Sequence, residues 1–86
     1  MLEEILRQLF VNAFTKLYGQ TPPVQQVNFQ KTRPEFEGDV TIVVFPFVKI
    51  SKKSPEIMAD EIGREIVAES EIVSKYNVVK GFLNLL

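Results

Sequence analysis

The sequence predicts a two-layer α+β domain in the order α-β-β-α-β-β, with a mainly antiparallel four-stranded sheet and the helices packed on one face. Three observations lead there. Apolar residues recur at helical spacing in two separate stretches, 2–18 and 55–69. Short runs between and after them alternate or are rich in β-branched and aromatic residues. Glycine and proline punctuate the junctions. Two helices laid on one sheet face would bury both apolar stripes.

The first helix is expected over 2–18. Leu2, Ile5, Leu6, Leu9, Phe10, Ala13, Phe14 and Leu17 step by threes and fours, the pattern of one apolar stripe. Glu3 and Glu4 sit in the first turn, where the helix dipole favours anions. Gly19 can take the left-handed position just beyond the helix, and Pro22-Pro23 prevents a restart. From Val24 to Lys31 the residues alternate, with Val27, Phe29 and Lys31 on one side and Gln26, Asn28 and Gln30 on the other. That alternation predicts a half-buried first strand. Thr32 to Gly38 reads as a loop closing on the turn signal Gly38-Asp39. Val40 to Phe45 is the second strand, stopped by Pro46, which lacks a ladder donor. A proline suits the first turn of a helix, so 46–50 is expected to make one short helical turn.

The second long helix starts at Ser54-Pro55-Glu56, an N-cap candidate followed by proline at the first helical position and an acid in the first turn. Met58, Ala59, Ile62, Gly63 and Ile66 form its apolar face, while Asp60 and Arg64 pair on the wet side. A glycine inside a helix costs about 1 kcal/mol against alanine, so Gly63 implies close backbone packing against the first helix or the sheet. Ile72 to Val79 is the third strand, Gly81 punctuates it, and Phe82 to Leu86 is the fourth.

Composition narrows the function. At 86 residues the chain is a single domain. With 45% hydrophobic and 24% charged residues it is ordinary globular protein. It has no cysteine and no histidine. That removes disulfides, thiol catalysis, thiolate or imidazole metal sites and any imidazole base, and accords with a reducing, cytoplasmic location. No apolar run is long enough to span a bilayer, and the amino terminus lacks the basic region of a signal peptide. The net charge of −1 supplies no overall field for a polyanion. Charge is evenly spread, with four basic and five acidic residues over 1–43 and six of each over 44–86. The apolar run ending at Leu86 suggests a chain cut from a longer one.

Catalytic signals are absent. The four glycines are scattered rather than gathered into a phosphate loop, and Lys52-Lys53-Ser54 has no glycine before it. Glu35 and Glu37 could do acid–base work only if buried, and a solvated loop is their ordinary place. The run Val78 to Leu86 carries more. In a strand from Gly81, Leu83 and Leu85 share one face and Phe82 and Asn84 the other. If the leucines enter the core, Phe82 and Asn84 stand on the uncovered face. An exposed aromatic ring beside an amide can stack a base and read its edge. On composition alone, Phe82 as a core residue and Asn84 as a strand-end residue remain the plainer reading.

Three segments in order resemble the N-terminal additional domain of arginyl-tRNA synthetases: the Gly38-Asp39 turn, the helix start Ser54-Pro55 through Ala59, and Gly81-Phe82-Leu83-Asn84. The resemblance covers essentially the whole chain. Val40 stands where the family usually has an aromatic, Pro46 falls where it commonly runs a helix, and Lys80 replaces a proline that often precedes the Gly-Phe signature. The resemblance implies an N-terminal tRNA-recognition domain, 1–86, that reaches the elbow of tRNA-Arg and holds a D-loop base. Phe82 would stack and Asn84 would bond the base edge. It also implies that ATP and arginine bind a separate catalytic domain of the parent ligase. The fragment itself would bind no cofactor, no metal and no membrane. Among Lys31, Arg33, Lys49, Lys52, Lys53, Lys75 and Lys80, the best phosphate contacts are Lys80 and Lys75, expected to flank Phe82 on one hairpin. Such contacts would position RNA without reading sequence. A different class of function, a protein–protein interaction module of the same fold, is suggested by the near-neutral charge and the apolar run Val40 to Phe45. An enzymatic reading has no nucleophile–base pair behind it.

Overall fold

Four antiparallel strands in the spatial order β1-β2-β4-β3 form the floor on which the helices sit. The computed structural model describes residues 2–32, 34 and 38–86. The elements are α1 (Leu2–Tyr18), β1 (Phe29–Lys31), β2 (Val40–Val43), α2 (Val48–Ser51), α3 (Pro55–Glu69), β3 (Tyr76–Val79) and β4 (Phe82–Leu85). Short 3-10 turns occupy Val24–Gln26 and Phe45–Phe47. This is the expected α+β order and helix placement.

Strand pairing sorts the side chains into two faces. Ile42 lies opposite Leu83, which lies opposite Val78, and Val40 opposite Leu85 opposite Tyr76. This inner face meets Leu6, Phe10, Ala13 and Phe14 of α1 and Met58, Ala59, Ile62 and Ile66 of α3 in one buried cluster. Full burial of each large apolar side chain is worth about 1.5–3 kcal/mol. Phe47 plugs the open end of that cluster, its ring 5.2 Å from Phe10 and 5.9 Å from Phe14. The helical stripe of α1 is wider than the surface available to it, so Ile5 and Leu17 remain exposed.

Both long helices run as expected. Ser54 caps α3, its Oγ accepting the Ile57 N–H at 3.3 Å, an interaction worth about 1 kcal/mol. Gly63 packs against the sheet rather than against α1. A Cβ there would stand 2.7 Å from Tyr76 Cγ and 2.9 Å from Leu83 Cδ1. On the wet side Arg64 donates to Asp60 at 3.2 Å.

The strands are shorter than the sequence suggests. The first begins at Phe29, not Val24, because the chain leaving Pro22-Pro23 coils into a 3-10 turn, the Gln26 N–H donating to Pro23 O at 3.0 Å. Val27 is nevertheless buried. The second ends at Val43, since Val44 turns helical ahead of Phe45–Phe47, and the chain runs on into α2. The helical turn expected at 46–50 is therefore present and longer. The third begins at Tyr76, not Ile72. The Ser70 hydroxyl accepts the Ile72 N–H at 3.1 Å, which turns the chain away from the sheet and leaves Ile72 exposed. Glu35 and Glu37, like Arg33, lie outside the described residues.

Candidate nucleic-acid interface

The face of the sheet turned away from the helices carries two rows of side chains, each set by strand register. Gln30, Thr41, Asn84 and Asn77 make a polar row across β1, β2, β4 and β3. Val43, Phe82 and Val79 make an apolar row beside it. Leu83 and Leu85 do enter the core, and Phe82 and Asn84 do stand on the opposite face.

Their exposure differs from the sequence expectation. Phe82 is half-buried, whereas Asn84 is 1% exposed. The cover over Asn84 comes from the segment before β2. Gly38 has φ +144°, a conformation that disfavours any side chain, and a Cβ on it would lie 3.0 Å from both Asn84 Cβ and Thr32 Oγ1. The backbone can close over the amide only because position 38 is glycine.

Asn84 is held on both sides. Its Oδ1 accepts from the Thr41 hydroxyl at 2.5 Å, and its Nδ2 donates to Asn77 Oδ1 at 2.8 Å. Thr41 and Thr32 hydroxyls meet at 2.9 Å. Among the described residues no buried side-chain nitrogen or oxygen lacks a partner. By valence the amide retains one Oδ1 lone pair and one Nδ2 proton. An amide in this state can form one acceptor and one donor bond with a planar ligand edge.

Phe45 joins Phe82 at the hairpin end of the sheet. The two ring centroids are 6.0 Å apart and the planes cross at 85°, an edge-to-face pairing. Phe45 is 48% exposed. Together the rings make a right-angled aromatic corner, whose walls can take the face and the edge of one planar ligand. Sequence reading missed Phe45 because it stands at a strand end before a proline, and only the register with β4 brings it to Phe82.

Lysine placement is uneven. Lys80 forms the turn between β3 and β4 with Gly81, at φ 54°, next to Phe82. Lys75 precedes β3 at the opposite end of the strand, its backbone carbonyl accepting the Leu86 N–H at 3.0 Å. A four-residue strand separates the two by roughly 13 Å or more. The hairpin therefore brings Lys80 to Phe82 but not Lys75. Neither pairs with a carboxylate of the described residues. Lys49 and Lys52 are exposed on α2 and its cap, directly after Phe45–Phe47. Lys53 is held 3.6 Å from Glu61.

Acid–base chemistry finds little support here. Hydrogen bonds from Lys16 and with Glu69 push Glu65 down from the usual carboxylate range, which keeps it ionised on the surface. Among the described residues no cluster of three or more potential metal-ligating acids is present. No helix among them is long and apolar enough to cross a membrane. The run Val40 to Phe45, the motive for the interaction-module reading, is largely spent on the core, with Ile42 and Val44 wholly buried.

Comparison with known proteins bears on this surface. A family model described as the arginyl tRNA synthetase N terminal domain matches residues 4–86. The chain is 50% identical over 84 residues to an arginine--tRNA ligase of Bacteroides fragilis, a match covering 98% of the chain and 14% of the relative. It is 53% identical over 85 residues to the one from Phocaeicola vulgatus, again 14% of that protein. Among solved structures, Thermus thermophilus arginyl-tRNA synthetase superposes with a TM-score of 0.77 at 22% identity, covering 99% of this chain and 14% of that one. That last likeness is one of fold. The chain thus spans about a seventh of the length of the relatives it matches.

Proposed function

The chain belongs to the arginyl-tRNA synthetase N-terminal domain family, and from that premise we propose that it is the tRNA-recognition module of a cytoplasmic arginine–tRNA ligase, holding a D-loop base of tRNA-Arg and doing no catalysis itself. The observation that carries the reading is the aromatic corner of Phe45 and Phe82, set beside an amide with a donor and an acceptor to spare. A base stacked on Phe82 gains about 1–3 kcal/mol. Phe45 bounds it edge-on, and Asn84 takes the polar edge. Lys80, next to the corner, meets a phosphate of the same strand. Lys75 engages the backbone farther along, at the other end of β3. Such contacts position the RNA while the corner selects it.

On this reading ATP and arginine belong to the parent enzyme's catalytic domain, which is also the domain's partner within the chain. The test is aminoacylation by the full-length ligase carrying Phe82→Ala. KM for tRNA-Arg rises roughly five- to 150-fold, while KM for arginine and for ATP stays within about twofold of wild type. A folded variant whose tRNA KM does not move would remove Phe82 from the interface.

A further inference from the structure

We propose that the Thr32–Thr41 hydroxyl pair fixes which way round the Asn84 amide faces, and thereby sets whether the site accepts an amino-bearing base or a carbonyl-bearing one. This rests on the base reading beside Phe82 argued above. Thr41 has a single hydroxyl proton, and it is committed to Asn84 Oδ1. At the 2.9 Å contact between the hydroxyls, Thr32 must therefore be the donor and Thr41 the acceptor. On the far side Asn84 Nδ2 donates to Asn77 Oδ1. Donation runs in one sense across β2, β4 and β3.

Turning the amide over would set Nδ2 against the Thr41 hydroxyl and Oδ1 against the Asn77 oxygen. Thr41 could accept only by giving its proton elsewhere, and Asn77 would have to turn as well. Thr32, Thr41 and Asn84 are all buried, at 7%, 5% and 1% exposure, so water does not readily substitute for a lost partner. The amide oxygen is thereby kept toward β2 and its nitrogen toward β3.

That order matters because of the bases. Adenine and cytosine present an amino donor beside a ring-nitrogen acceptor on the pairing edge. Guanine and uracil present a carbonyl acceptor beside a ring N–H donor. An amide can bond either pattern, but only by reversing its own oxygen and nitrogen. With the base plane held by Phe82 and Phe45 and the amide order held by Thr41, one class makes both bonds and the other makes neither. Thr41 and Thr32 are positioning residues here, since they act through Asn84.

The experiment uses the full-length ligase and tRNA-Arg transcripts with each of the four bases at D-loop positions. The relevant position is the one that wild type discriminates and Phe82→Ala does not. Wild type should separate adenine and cytosine from guanine and uracil there by about 5–150-fold in kcat/KM, the range of a bidentate base contact. Thr41→Val should collapse that separation at least about fivefold. Thr41→Ser, which keeps the proton, should retain it, and Thr32→Val should fall between the two. A purely structural role for Thr41 would lower all four transcripts together and leave their ratios intact. Unchanged ratios in Thr41→Val, or a wild-type preference split by base size instead, would overturn the positioning role. If Thr41→Val does not fold, unchanged ratios in Thr32→Val together with their loss in Thr41→Ser would overturn it equally. If no D-loop position loses its discrimination in Phe82→Ala, the base reading itself fails and this inference falls with it.

Discussion

The ring of Phe45 lies over the Cα of Gly81, in the space a side chain at position 81 would occupy; a Cβ there would stand 2.8 Å from Phe45 Cε1 and closer still to two other ring atoms. The Gly-Phe pair thus does two things, one residue making room for a ring and the next meeting that ring edge-on. Phe45 is half exposed and can swing outward. Gly81→Ala should therefore cost less than about 1 kcal/mol of stability, yet raise the tRNA KM of the full-length ligase severalfold by displacing one wall of the corner. Urea melts beside aminoacylation kinetics check both halves, and a variant that loses stability but not tRNA affinity would refute the role of Phe45.

The local signals were legible and the assembled ones were not. Leu2–Tyr18 and Pro55–Glu69 follow from stripes, the Ser54 cap and helix-ending glycine or serine, all carried within a few residues. Val24 to Asn28 alternates as a strand would, but the backbone constraint imposed by Pro22-Pro23 prevails there. Phe82 and Asn84 were placed on the correct face by parity alone. The burial of Asn84 was hidden because its cover, Thr32 and Gly38, comes from another part of the chain, and parity says nothing about what folds over a face. Phe45 was hidden for the same reason.

Gly63 is the second place where a missing side chain admits a ring. Tyr76 packs across it by Cγ and Cδ2, close to the backbone of β3, with Leu83 behind. Unlike Phe45, these atoms cannot swing clear, because Leu83 is wholly buried and Tyr76 donates to Asp60 at 2.6 Å. Overpacking of about 1–3 kcal/mol outweighs the gain of about 1 kcal/mol in helix propensity. Gly63→Ala should lower the midpoint of thermal unfolding by several degrees, and an unchanged or raised midpoint would show that α3 can shift off the sheet.

Two lysines hold left-handed backbone angles, Lys52 at φ 58° and Lys80 at φ 54°. A side chain in that region costs about 1–2 kcal/mol, partly offset by the greater freedom a glycine would have in the unfolded chain. Lys52→Gly and Lys80→Gly should each stabilise the fold by roughly 0.5–1 kcal/mol. Their effects on RNA should part. Lys80→Gly weakens tRNA binding and lowers the magnitude of its salt slope by about 1. If Lys80→Gly stabilises without changing the salt slope, Lys80 makes no phosphate contact.

Alkaline pH should expose how α1 is tied to α3. Tyr18 donates to Glu61 at 2.8 Å, and burial first, then that hydrogen bond, raises its pKa above the ordinary 10.0. Hydrogen bonds to Glu65 and Glu69 likewise raise Lys16 above 10.5. Tyr76 is raised above 10.0, chiefly by its bond to Asp60. A raised pKa means that the folded chain keeps a proton which the unfolded chain gives up first. The stability these groups contribute is fully present below about pH 10 and is lost as pH climbs past it toward the folded values. Glu65, pushed down from 4.5, acts at the other limit: its contribution is present above that pH and fades as pH falls. Urea midpoints measured from pH 3 to 11 should form a plateau with both flanks falling. Tyr18→Phe, which cannot ionise, should flatten the alkaline flank, and adding Tyr76→Phe should flatten it further. An alkaline flank equally steep in the double variant would assign the loss to Lys16 alone and remove both tyrosine–carboxylate bonds from the account.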